Sequence, residues 1–367
     1  MKKYDVIIIG GGIGGLASGI ILSKEGLSVC VLEQHTIIGG CLQSFKRNGR
    51  TLDTGMHYIG SMGEGEIMHQ YFKYFGITDD LRLRKLSDDG FDYFHFMDGE
   101  VYSHAVGNER FIETLAARFP EDREGIKAIV GKMQNIGDMI APEVLRGGRL
   151  YSRGGKDYTS VSAYSEIEKA ISNDRLRNVM AGNTGLYAGN RLTTSMYEYG
   201  VITHSYIQGA YAFEDGSQQL ADLMVRQIER NGGEVRLNAR AAKIHLEGDK
   251  AEYVELTSGE RVYGDKVISS IHPSATISML PLRLGLNCDT KSITALPNCS
   301  LNALYSSPRR PTVVSAQRAH CSMGMGPSRL ITSVYSLREL GCMHISTPGM
   351  LTPLYMPSKP HTSSMLK

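Results

Sequence analysis

Apolar residues run unbroken from Val6 to Ile9, and glycine then fills positions 10, 11, 12, 14 and 15. A short β-branched run of this kind predicts a strand buried on both faces. The period then changes: Leu16, Ala17, Ile20, Ile21 and Leu22 predict a helix that stops near Gly26, and Ser28–Leu32 predicts a second strand. Further along, Ile67–Phe75 reads as an amphipathic helix before Gly76, and Phe91–Met97 and Glu100–His104 flank the hairpin signal Asp98-Gly99. Asn108 is a candidate N-cap for a helix over Glu109–Phe119, and Pro120 separates it from another over Glu121–Met139. Ser162–Ile171 and Asp174–Ala181 complete the helical middle of the chain. Leu220, Leu223, Met224, Gln227 and Ile228 share one face of a helix over Gln218–Arg230, which Asn231-Gly232-Gly233 ends. A strand over Glu234–Leu237 follows, then a hairpin of Glu252–Thr257 with Arg261–Tyr263, then a strand over Lys266–Ser270.

The glycine run has the spacing Gly10-x-Gly12-x-x-Gly15 between a strand and a helix. There the first glycine allows a tight turn, the second lets a pyrophosphate approach the backbone, and the third lets helix and strand pack closely. Unpaired N–H groups at the helix start favour phosphate. Glu33, about 20 residues beyond the loop, stands where a carboxylate would accept hydrogen bonds from ribose hydroxyls. The alternative is a solvated residue at a strand end. The loop alone does not separate NAD from FAD. Gly39-Gly40 and Asp53-x-Gly55-x-His57 favour FAD, since a second close backbone approach suits a cofactor that extends past its pyrophosphate; an ordinary two-glycine turn is the competing reading.

With these motifs the chain resembles the flavoprotein amine-oxidase-like superfamily, and within it the phytoene desaturase, carotenoid isomerase and retinol saturase branch. The resemblance rests on Gly10 to Gly15, Glu33, Gly39-Gly40, Phe45, Asp53 to Tyr58, and a later block. That block opens with Tyr211 to Ser217 and the helix behind it, and it closes on Asp265 to Pro273. It spans roughly residues 1–287. It implies an α/β fold, with a GxGxxG-type (Rossmann-like) FAD-binding domain interrupted by an inserted mixed α+β substrate domain. The expected division is 1–60 and 212–287 for the FAD domain and 61–211 for the substrate domain, with 288–367 as an atypical tail. The cofactor-binding residues it implies are Gly10, Gly12, Ile13, Gly14, Gly15, Glu33, Gln34, Gly39, Gly40 and Ala241. At Ala241 the family often has valine, but the contact with adenine is through the backbone. His57 is the candidate catalytic residue, to orient substrate or supply a proton; a structural histidine in a turn is the other reading. The implied reaction moves a hydride between flavin and a C–C bond of a hydrophobic polyene or isoprenoid-like substrate. Two alternatives stand beside it: a truncated, non-catalytic flavin-binding fragment and an amine oxidase-type flavoenzyme.

Tyr187, Tyr197, Tyr199, His204, Tyr206 and Tyr211 crowd one stretch of a chain that has no tryptophan. They would form either an aromatic wall for a long apolar substrate or ordinary core with hydrogen bonds at its edge. Six cysteines without paired spacing read as reduced thiols, and no metal is expected. The expected setting is the cytoplasm, with peripheral membrane contact left open as a route for substrate.

Charge divides the chain. Residues 1–287 carry −4 and residues 288–367 carry +6, against +2 overall. The latter stretch also holds 8 of the 12 prolines and 4 of the 6 cysteines, without sustained periodicity. Its basic residues are scattered, which argues against a nucleic-acid site. Two readings remain, a disordered extension or sequence read out of frame. The composition break, and the lack of the Gly-rich C-terminal segment with which the family closes its fold, favour the second.

Overall fold

The computed structural model describes residues 2–140, 157–247 and 250–280, together with the backbone of 313–315. The chain begins with β1 (Lys3–Ile9), α1 (Ile13–Lys24) and β2 (Val29–Leu32). Val6, Ile7, Ile8, Val29, Cys30 and Val31 are fully buried, as an apolar strand covered on both faces requires. Ser28 precedes β2, and its N–H and hydroxyl both donate to Asp5 Oδ2 at 2.8 and 2.6 Å. Next comes a hairpin the hydropathy pattern does not announce, β3 (Ser44–Arg47) with β4 (Arg50–Asp53), turning through Asn48 and Gly49 at positive φ. Asn-Gly at both central positions is the preferred chemistry of that two-residue turn. β5 (Tyr58–Gly60) follows.

The middle of the chain holds α2 (Ile67–Phe75), β6 (Leu83–Lys85), the hairpin β7 (Asp92–His95) and β8 (Val101–His104), and helices α3 (Asn108–Ala116), α4 (Arg123–Met139), α5 (Ala163–Ala170), α6 (Asp174–Met180) and α7 (Met196–Gln208). Asn108 is the first helical residue of α3, not its cap; Gly107 precedes it, and the Asn108 amide reaches Gln134 instead. These helices enclose their own core, with Phe111, Ile126, Ile129, Met133, Ile136 and Tyr199 fully buried. His104 lies within it, sealed among Phe91, Phe94 and Phe111, and neither ring nitrogen has a hydrogen-bond partner. Burial pushes its pKa down to about 3.

The chain then returns through β9 (Ala210–Phe213), α8 (Gln218–Arg230), β10 (Glu234–Arg236), β11 (Ala241–Glu247), β12 (Lys250–Leu256), β13 (Arg261–Ser269), α9 (Pro273–Ser278) and β14 (Val313–Ser315). The principal sheet runs β10-β2-β1-β13-β12-β11, with β14 parallel to the end of β13. Arg261–Tyr263 and Lys266–Ser270, read as two strands, are one nine-residue strand that stops at Ser269. Its first half pairs antiparallel with β12 and its second half parallel with β1. Gly264 lies at the crossing because Ile7 occupies the space a side chain would need; a Cβ there would sit 2.7 Å from Ile7. β9 joins β5 and β6 in a three-stranded sheet, where Gly60 pairs with Ala210 and Ile59 with Tyr211. The rest of the 288–367 stretch lies outside the described residues.

Candidate functional site: two glycine loops and an aromatic cavity

The loop between β1 and α1 is fixed by backbone contact. Gly10 takes φ +104°, and a Cβ on Gly15 would lie 1.9 Å from the Gly10 carbonyl oxygen. Gly12 differs. It has ordinary extended geometry (φ −73°, ψ 174°), and a Cβ there would meet no protein atom within 4 Å. Gly14 is likewise uncrowded, its nearest neighbour being Ser270 Oγ at 3.5 Å. Ile13 opens α1 and is buried, with one side on the cavity described below.

Glu33 directly follows β2, and its carboxylate turns back onto this loop. Oε2 accepts the Gly11 N–H at 2.7 Å and Oε1 the His35 N–H at 2.9 Å, in a residue only 6 % exposed. The second glycine motif arrives at the same place. The Gly39 N–H donates to the Gly11 carbonyl at 2.9 Å, and a Cβ on Gly40 would stand 3.4 Å from the Gly12 Cα. Gly39 takes φ +113° and packs on Ala221 of α8, where a Cβ would come within 2.8 Å. The segment before β11 passes alongside: the Ala239 N–H donates to the Glu33 carbonyl at 2.8 Å, which brings Ala241 two residues further on. Gln34 is exposed, and its amide pairs with His35. A crevice with bare backbone at Gly12, a helix N-terminus and a buried carboxylate fits a dinucleotide such as FAD.

From Gly39 a cavity extends between the Gly55–Gly60 segment and α7. A Cβ on Gly60 would sit 2.4 Å from the Ser205 backbone, and the Ser61 N–H donates to the Ser205 carbonyl at 3.0 Å, so β5 and α7 are in direct contact. His57 lines the cavity on its exposed side, and its ring forms no hydrogen bond among the described residues. Burial pushes the Cys41 thiol up. No Asp, Glu, Lys or Arg lines the cavity among the described residues.

The tyrosine cluster divides. Tyr58, Tyr187 and Tyr206 line the cavity, and the Tyr58 and Tyr206 rings pack at a tilt of 53° with centres 4.6 Å apart. Tyr199 is core, its hydroxyl donating to the Met180 carbonyl at 2.9 Å; Tyr197 packs at the edge of the same core and Tyr211 on the other. His204 is buried against Gly137, and that burial lowers its pKa. The Tyr58 hydroxyl meets both carboxylate oxygens of Asp92 at 2.9 Å; burial raises the pKa of both groups.

Asp53 was grouped by spacing with the flavin-side motif, yet its carboxylate works as a clamp. One oxygen accepts the Ser44 hydroxyl (2.7 Å), the Ser217 N–H (2.7 Å) and the Ser217 hydroxyl (2.9 Å), and the Ser217 hydroxyl also bonds the Leu42 carbonyl at 3.0 Å. It thereby fixes the Gly39–Gly40 loop to the start of α8.

A family model for flavin containing amine oxidoreductases matches residues 13–311. The chain belongs to this family. The match passes residue 287, where the sequence resemblance was expected to end. The flavin family agrees with FAD as the expected cofactor. The chain is 29% identical over 295 residues to an all-trans-retinol 13,14-reductase of Rattus norvegicus, covering 73% of this chain and 47% of that protein. It is 26% identical over 315 residues to a 4,4'-diapolycopen-4-al dehydrogenase of Metabacillus indicus, covering 81% of this chain and 61% of that one. The chain thus spans about half the length of the retinol-reductase relatives it matches. Among solved structures it resembles an oxidoreductase from Methanosarcina mazei (TM-score 0.57, 20% identity, 79% of this chain and 64% of that one). It also resembles cyclohexylamine oxidase from Brevibacterium oxydans (TM-score 0.52, 18% identity, 76% and 60%). These two likenesses concern the fold. No helix among the described residues of this flavin-family chain is long and apolar enough to cross a membrane.

Proposed function

We propose that this chain is the FAD-binding and cavity-forming part of an oxidoreductase acting on a C–C bond of a small hydrophobic, polyene-like substrate. The FAD domain is assigned to residues 1–60 and 212–287, and the substrate domain to 61–211. FAD, when bound, supplies the two-electron chemistry. Gly12 and the N-terminus of α1 hold its diphosphate. Glu33 receives its ribose, Gly39 and Gly40 extend the path, and Ala241 borders the adenine. His57, with a free imidazole at the cavity wall, holds or moves a proton at its ring nitrogens.

The observation that carries this reading is the meeting of the two glycine loops at Glu33, with the cavity leading away from them. The cavity's lining favours a polyene over an amine: no carboxylate that would anchor an ammonium lines the wall among the described residues. Substrate arriving from a membrane surface through peripheral contact accords with an apolar cavity.

Purification provides the test. A yellow protein, or one that takes up added FAD stoichiometrically, is expected, and anaerobic exposure to a polyene should change the flavin spectrum where an amine does not. A colourless chain that takes up no FAD refutes the proposal. Flavin uptake without response to either substrate favours a non-catalytic flavin-binding fragment, in keeping with the share of its relatives that the chain spans.

A further inference from the structure

The β3–β4 hairpin has one face anchored on the protein and the other turned to solvent. Ser44 and Thr51 crowd Gly216, where a Cβ would come within 2.5 and 2.8 Å of them, and Asp53 clamps the base. The alternation of a strand puts Phe45, Arg47, Arg50 and Leu52 on the opposite side. Phe45 and Leu52 face each other across the strands and are 49 % and 42 % exposed. Nearer the turn Arg47 pairs with Arg50, two like charges directly opposite, an arrangement that is unfavourable until an anion joins it. Lys46 adds a third exposed charge, and no carboxylate pairs with any of these three among the described residues. Ile37, also 49 % exposed, lies beside the base of the hairpin, since the Gln43 amide donates to its carbonyl at 2.8 Å. Both ends of the hairpin run into the cavity wall, through Leu42 before β3 and Gly55 after β4.

We propose that this hairpin is a docking finger for an anionic membrane surface, with Phe45 and Leu52 entering the lipid interface and Arg47 and Arg50 binding headgroup phosphates. Charge and shape select that occupant. Apolar side chains backed by cations match a bilayer whose surface is negative over an apolar interior. Guanidinium groups also suit phosphate oxygens in geometry. A protein partner fits less well, because four side chains on a two-stranded finger present far less than the roughly 800 Å² a side of a standard interface. Docking of this kind sets the cavity beside the membrane, since Leu42 and Gly55 join the finger to its wall. An apolar substrate would then pass from lipid to cavity without crossing water. That consequence rests on the polyene reading above; the docking itself does not.

The test is flotation of the full chain with vesicles of phosphatidylcholine alone and of phosphatidylcholine mixed with phosphatidylserine, neither containing a polyene. The wild type should float with the mixed vesicles and far less with the neutral ones, and added salt should weaken its binding. Arg47→Gln with Arg50→Gln should lower affinity for the mixed vesicles roughly thirtyfold, about fivefold for each charge removed. Phe45→Ser with Leu52→Ser should lower it too and leave the remaining binding fully reversible by salt. All four side chains are exposed, so both double variants should keep the wild-type circular dichroism and FAD uptake. A control pair on the exposed side of α8, Arg226→Gln with Arg230→Gln, should bind as the wild type does. A wild type that floats with neither vesicle, or equally with both, overturns the proposal. Binding that both hairpin variants keep assigns the contact to the basic 288–367 stretch and overturns it as well, and so does an equal loss in the control pair, which would show only diffuse charge attraction. A wild type that takes up no FAD refutes the wider function alone, since flotation requires neither cofactor nor substrate.

Discussion

Gly12→Ala should separate folding from cofactor binding. The residue already has a β-region backbone, so alanine fits without strain, and its methyl would meet no protein atom within 4 Å. Replacing glycine at a compatible position stabilises by about 0.4–1 kcal/mol, through the lost freedom of the unfolded chain. Gly12 is also the N-cap of α1, where alanine is poorer than glycine by about 0.5–1 kcal/mol, so the two effects offset and the variant should melt close to the wild-type temperature. The same methyl stands where the diphosphate is proposed to lie. Crowding one methyl into a packed contact costs ~1–3 kcal/mol, which lowers FAD affinity roughly 5- to 150-fold. Thermal melts of the flavin-free protein and titration with FAD, read by flavin fluorescence, give the two quantities independently. Unchanged affinity in a well-folded Gly12→Ala protein would show that the diphosphate does not cross this residue. A loss of more than about 1 kcal/mol in the flavin-free state, beyond the N-cap effect, would show that the space beside Gly12 is not open as described.

Gly15→Ala should behave in the opposite way, losing folded protein as well as FAD, because its methyl lands 1.9 Å from a backbone oxygen that cannot withdraw; expression and circular dichroism will show it. Asp53→Ala removes the acceptor of three hydrogen bonds and should cost about 2–4 kcal/mol in urea denaturation, with weaker FAD binding as the Gly39–Gly40 loop loosens. His104 makes stability depend on pH: its folded pKa of about 3 lies below the unfolded 6.5, so the unfolded chain binds the extra proton and stability is lost as pH falls from 6.5 towards 3. Between pH 8 and pH 5 this amounts to about 2 kcal/mol. In His104→Leu, which conserves volume and removes both unpaired nitrogens, that part of the slope should vanish in melts at the two pH values, leaving the smaller share owed to His204.

Much of the fold could be read locally. The bounds of α2 and α8 follow from apolar residues on one face and a glycine-bearing stop, and the β7–β8 hairpin from Asp98-Gly99. The β3–β4 hairpin was just as legible in Asn48-Gly49, but its strands bury little, so no alternation of apolar residues marked them. Other features depend on partners far away in sequence. Gly264 resembles a strand breaker until Ile7 is seen to fill its place. Asp53 resembles a site residue until its oxygen is found on Ser217, 164 positions on. Within the site, the spacing brought Glu33, Gly12 and Gly39 to consideration, and the structure gathers them in one crevice. It could not say which tyrosines face the cavity, because Tyr187 and Tyr199 differ in neighbours supplied by α6 and α7, not in local pattern.

The place of β1 in the sheet has a consequence for how the protein is made. One neighbour, β2, follows within a few turns of chain, but the other, β13, begins at Arg261. A ribosome adding 5–20 residues per second needs roughly 12–50 s to reach it. Throughout that interval one edge of the Val6–Ile9 strand stands unpaired on the nascent chain, so overproduction should be limited by aggregation during synthesis, and co-expressed chaperones should raise the yield of soluble protein.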